Sequence, residues 1–134
     1  VPTGGISLGL LVLRTRDVPR LVAFYRAMGL PFVEEQHGAG PTHFSCELGG
    51  LVVEIYPARP GTTGASEGAA DLRLGFRVPS IERALAALTQ TSPCVRSGPR
   101  ADAWGRCAVV VDPDGRAVEL REVDEVGETG EARR

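Results

Sequence analysis

The sequence predicts an α+β fold made of two βαβββ units. Three observations lead there. A Val- and Leu-rich strand pattern passes into a helical period twice, three short strand-like runs follow each helix, and a stretch rich in Gly, Pro, Ser and Thr separates the two series. A shift of 63 positions carries Leu13 onto Phe76, Arg14 onto Arg77 and Val18 onto Ile81, so the strand-to-helix junctions correspond although identity between the halves is weak.

The first unit, residues 6–56, opens with the apolar run Ile6 to Thr15, which reads as a strand. Asp17 is placed to cap the next helix, and Pro19 is tolerated in its first turn because a helix start leaves that N–H unpaired anyway. Leu21, Val22, Tyr25 and Met28 follow at helical spacing; Gly29 suits a left-handed stop, and Pro31 prevents continuation. Strands are expected at Pro31 to Gln36, Thr42 to Leu48 and Leu51 to Tyr56, the last two joined by Gly49-Gly50 as a tight hairpin.

Residues 57–70 have the composition of a flexible connector. The second unit, residues 71–122, restarts with a strand from Leu72 to Val78. Ser80 then caps a helix with Ile81, Ala84, Leu85 and Leu88 on one face. Strands are expected at Cys94 to Ser97, Arg106 to Asp112 and Ala117 to Glu122, with a loop from Gly98 to Gly105. Asp112-Pro113-Asp114-Gly115 joins the last two, with Pro at the second turn position and Gly where a left-handed conformation is needed. Residues 123–134 are rich in Glu, Gly and Arg with little to bury, which predicts a disordered tail.

With 134 residues, 43% hydrophobic and 24% charged, the chain fits one soluble domain with its own core. Its net charge of −2 and lack of a basic block argue against nucleic acid as a partner. No apolar run approaches the roughly 20 residues that cross a bilayer, and no charged-then-apolar leader is present, so neither membrane insertion nor export is expected. Cys46, Cys94 and Cys107 are odd in number and widely spaced, which predicts ordinary buried thiols, no disulfide framework and a cytoplasmic setting.

Three segments, in this order, carry a resemblance. They are Leu13-Arg14-Thr15-Arg16-Asp17 leading into Phe24-Tyr25 and Gly29-Leu30; the strand Leu51-Val52-Val53-Glu54-Ile55; and Asp112-Pro113-Asp114-Gly115 leading into Val118-Glu119-Leu120. From about residue 6 to residue 122 the chain resembles the vicinal oxygen chelate superfamily of glyoxalases, bleomycin resistance proteins and extradiol dioxygenases. The resemblance implies a cupped mixed sheet with the helices on the outside, a ligand cavity inside, and a homodimer. In metal-using members each half supplies a ligand, usually His, from its first strand and a Glu from its last. Those positions fall on Leu10, Glu54, Arg73 and Glu119 here. Leu has no donor atom and Arg stays protonated, so only the two carboxylates remain. The expectation is therefore a small-molecule-binding protein of the bleomycin-resistance kind, with no cofactor and no metal. The alternative is a lyase, isomerase or dioxygenase with a divalent metal at Glu54 and Glu119.

Strand alternation supports this placement. Leu10, Val12 and Arg14 share one face while Leu11 and Leu13 take the other; Arg73, Gly75 and Arg77 oppose Leu74 and Phe76; and Glu54 opposes Val53 and Ile55. Arg73 is expected to pair with a Glu carboxylate or to clamp an anionic group, against the plain reading that it turns to solvent. Leu8, Leu10 and Val12 are expected to form an apolar wall. Trp104 reads either as a lid over an apolar ligand or as a buried loop anchor. His43 is expected to be a half-exposed strand residue with a contribution to a metal as the alternative, and His37 sits among glycines in a loop. The Gly61 to Gly68 stretch lacks the strand-to-helix context of a phosphate loop.

Overall fold

The computed structural model describes residues 5–60, 71–91 and 94–122. The expectations for residues 61–70 and for the tail 123–134 lie outside the described residues. The chain divides into two compact units, Val1–Ala65 and Ser66–Arg134.

The first unit contains β1 (Leu10–Thr15), α1 (Val18–Met28), β2 (Val33–Glu35), β3 (His43–Leu48) and β4 (Leu51–Pro57) in a sheet of order β1-β4-β3-β2. β1 runs parallel to β4, and the β4-β3 and β3-β2 pairs are antiparallel. The strand expected from Ile6 begins only at Leu10. Leu10 pairs with Val52, and β4 itself starts at Leu51, so the β1-β4 ladder begins at Leu10. Likewise β2 covers Val33–Glu35 instead of residues 31–36, the part that pairs with β3.

The Asp17 carboxylate accepts the Arg20 N–H at 3.1 Å, a cap of the kind that contributes about 1 kcal/mol. Gly29, at φ 112°, ends α1 by donating its N–H to the Arg26 carbonyl. Leu21, Val22, Phe24 and Tyr25 are buried on α1, which packs on β1 and β4, where Leu13, Val53 and Ile55 are buried. Phe24 joins this face and Met28 is only half-buried. Gly49 and Gly50 both have positive φ, the geometry a two-residue hairpin needs.

In the second unit, β5 (Arg73–Val78), α2 (Ile81–Leu88), β6 (Cys94–Asp102), β7 (Gly105–Val111) and β8 (Ala117–Glu122) repeat the plan, with sheet order β5-β8-β7-β6 and β5 parallel to β8. Ser80 accepts the Arg83 N–H at 3.1 Å, and Glu122 accepts the Ile81 N–H at 3.0 Å, so the start of α2 is tied to the end of β8. Strand β6 continues well past Ser97. Two register shifts, between Val95 and Ser97 and between Ser97 and Arg100, keep the Gly98-Pro99 stretch in the sheet. The loop expected from Gly98 to Gly105 thereby shrinks to Ala103-Trp104.

The repeat is preserved at the level of register. Val12 lies opposite Glu54 in the first unit and Gly75 opposite Glu119 in the second, so the two carboxylates occupy equivalent ladder positions.

Candidate functional site

In the first unit, alternation leaves one face of the sheet to α1 and presents the other with the cross-strand row Val33, Ser45, Glu54 and Val12. Leu10 is 54% exposed on that face, and Val12, Val33 and the preceding Leu8 are exposed too. The next row along the strands begins with Glu35 opposite His43 and ends with Tyr56 opposite Arg14. His43 is fully buried, contrary to the half-exposed strand residue expected from the sequence. Its ring stacks on Tyr56 with centroids 4.2 Å apart, and the Arg14 guanidinium lies over the same Tyr56 ring. Glu54 Oε2 is 3.9 Å from His43 Nε2.

The corresponding face of the second unit carries an ion-pair chain. Arg73 donates to Glu119 Oε1 at 3.0 Å, the carboxylate pairing expected for it, and Arg121 donates through Nε to Glu119 Oε2 at 3.2 Å. Arg121 also forks onto both oxygens of Asp102 at 2.9 Å each. The Arg73 guanidinium, helped by Arg121, holds the Glu119 carboxyl below the usual carboxylate range despite some burial. Asp102 is held well below that range, first by Arg121 and then by the Trp104 N–H, which it accepts at 2.9 Å. Trp104 itself is 63% exposed at the β6-β7 turn, so it is not the buried anchor of a loop.

These residues do not fit the metal centre that the ligand positions would imply. Leu10 offers no donor, Arg73 brings a permanent positive charge, and both oxygens of Glu119 already accept from guanidinium groups. Glu54 and Glu119 are thus chemically unlike although they are equivalent in the repeat. The carboxylate of Glu119 is saturated by arginine, while His43 Nε2 lies 3.9 Å from Glu54.

Sequence reasoning missed Arg121, Asp102 and Glu35. Arg121 was within reach, because it stands two places from Glu119 and alternation puts it on the same face. Asp102 was hidden by reading its segment as loop. The buried cluster of Arg116 with Asp112 and Asp114, both at 3.0 Å, was also missed, since turn charges ordinarily face water.

Two mixed four-stranded sheets with matching registers, each with its own helix, define a duplicated βαβββ protein. The chain belongs to the glyoxalase/bleomycin resistance protein/dioxygenase superfamily, whose family model matches residues 7–120. No curated protein matches the sequence. Among solved structures, the chain is similar to TnmS3, an antibiotic binding protein from Streptomyces sp. CB03234. The identity is 23%, the TM-score 0.65, and the match covers 88% of this chain and 97% of that one. It is also similar to TioX from Micromonospora sp. ML1, at 21% identity and TM-score 0.63 over 85% and 96% of the two chains. A hypothetical protein from S. aureus, SA1046, gives 14% identity and a TM-score of 0.66 over 87% and 96%. Likeness at these identities establishes the shared fold.

Proposed function

We propose that this protein binds an organic small molecule with a sizeable apolar or aromatic part and sequesters it without transforming it. The observation that carries the reading is the Arg73–Glu119 ion pair at 3.0 Å, which occupies one of the positions that the family resemblance implies for metal ligands. Binding then needs no ion at Leu10, Glu54, Arg73 and Glu119. Exposed Leu8, Leu10 and Val12 supply apolar surface for such a ligand on the first unit, and exposed Trp104 does so on the second. That TnmS3, similar in fold, is an antibiotic binding protein supports an organic small molecule as the ligand. Among the described residues no helix is long and apolar enough to cross a membrane, and the free thiols of Cys46 and Cys107 are buried, which suits a reducing, cytoplasmic setting.

A thermal-shift screen of aromatic antibiotics in chelator-containing buffer tests the reading. At least one compound should raise the melting temperature in proportion to the logarithm of its concentration and be recovered unchanged. Conversion of the compound, or binding of the compound that appears only when an ion is restored, would instead favour a metal-dependent enzyme using Glu54 and Glu119.

A further inference from the structure

His43 is 1% exposed, and its Nδ1 lies 3.2 Å from the Pro41 carbonyl oxygen. A carbonyl only accepts, so Nδ1 carries the ring proton and, in the neutral ring, Nε2 is a bare lone pair. That nitrogen has no hydrogen-bond partner among the described residues. It faces Glu35 Oε1 at 3.4 Å and Glu54 Oε2 at 3.9 Å. A buried lone pair aimed at carboxylate oxygens is unfavourable unless something positive stands between them.

The surroundings supply the remaining donors. His37 Nε2 is 3.5 Å from the same Glu35 oxygen, and one ligand atom from each of Glu35, His37 and His43 falls within 4.8 Å of the others. Atoms bound about 2.1 Å from one tetrahedral ion lie roughly 3.4 Å apart, so both distances from Glu35 Oε1 already suit a shared ion. The backbone fixes two of the three ligands, since Glu35 and His43 are cross-strand partners. A backbone carbonyl holding the other imidazole nitrogen is the outer partner that metal-bound histidines use, and the Tyr56 ring holds the plane of the imidazole.

We propose that Glu35, His37 and His43 bind a divalent transition ion, zinc in the first instance, with the Glu54 carboxylate beside the fourth position. Two imidazoles and a carboxylate suit zinc, cobalt or nickel. The ligands are not those of the family positions, and the ion does not depend on the proposed organic ligand. Binding it ties the exposed His37, in the turn between β2 and β3, to the sheet.

The test uses the full chain without a polyhistidine tag, stripped with a chelator and titrated with zinc against a chromophoric competitor. Uptake of one zinc per chain with a raised melting temperature is expected. His37→Ala removes an exposed ligand, so the melting temperature of the stripped protein should not change while zinc affinity falls roughly ten-fold or more. Glu35→Gln should weaken zinc similarly, whereas Glu119→Gln should leave the affinity unchanged. No uptake at roughly micromolar free zinc would overturn the proposal. Uptake that survives both His37→Ala and Glu35→Gln would place the ion elsewhere and overturn it equally. Because the compound screen is run in chelator, failure there and failure here are separate results.

Discussion

Arg73 shows how exposure sets the worth of an ion pair. Its side chain is 54% exposed and that of Glu119 27%, and Arg121 also holds the carboxylate, so Arg73→Ala should cost under about 1 kcal/mol in urea denaturation. A fully buried pair would have cost several times more. The depressed Glu119 pKa has a signed consequence. A carboxylate whose folded pKa lies below its unfolded value stabilises the protein above the unfolded value and loses that contribution as pH falls through the folded one. Urea midpoints should therefore drop as pH falls below the ordinary Glu value of 4.5 and through the lowered folded value, and the Arg73→Gln, Arg121→Gln double variant should flatten this decline. An equally steep decline in the double variant would remove Glu119 as its source.

Hairpin turns make the opposite case at the scale of elements. The β7-β8 turn buries Arg116 at 4% exposure against Asp112 at 3%, and Asp112 also accepts the backbone N–H groups of Asp114 and Arg116. Arg116→Ala would take the guanidinium away from a buried carboxylate, and a loss of about 3–5 kcal/mol is expected from urea denaturation. A loss below about 1 kcal/mol would mean that water reaches Asp112. The β6-β7 turn instead leaves Trp104 exposed. Trp104→Ala should shift stability by no more than about 0.5 kcal/mol while weakening any compound found in the screen. Unchanged affinity would remove Trp104 from the ligand surface.

At the scale of the whole molecule the open question is assembly. Each sheet ends in two edge strands, β1 and β2 in one unit and β5 and β6 in the other. Val33 on β2 and Val95 on β6 are exposed apolar residues on such edges. Edge strands with apolar side chains favour association, and copies of one chain associate most often about a two-fold axis. A homodimer is accordingly expected by light scattering; a monomer at about 50 µM would refute it.

The sequence by itself determined the order of elements, the helix caps at Asp17 and Ser80, the Gly49-Gly50 hairpin and the division of β1, β4 and β5 into two faces. Those features depend on residues a few positions apart, where period, cap chemistry and φ preference act directly. It also aligned Leu10 with Arg73 and Glu54 with Glu119 by the repeat, and offered a carboxylate as one of two partners for Arg73. Only the tertiary structure decided which carboxylate that was, how far β6 ran and where β1 began, because a strand extends only as far as its neighbour offers partners. The burial of His43 was likewise out of reach. Its environment comes from Glu35, Tyr56, His37 and the Pro41 carbonyl, gathered from two other strands and a turn, and no local pattern in the sequence encodes that meeting.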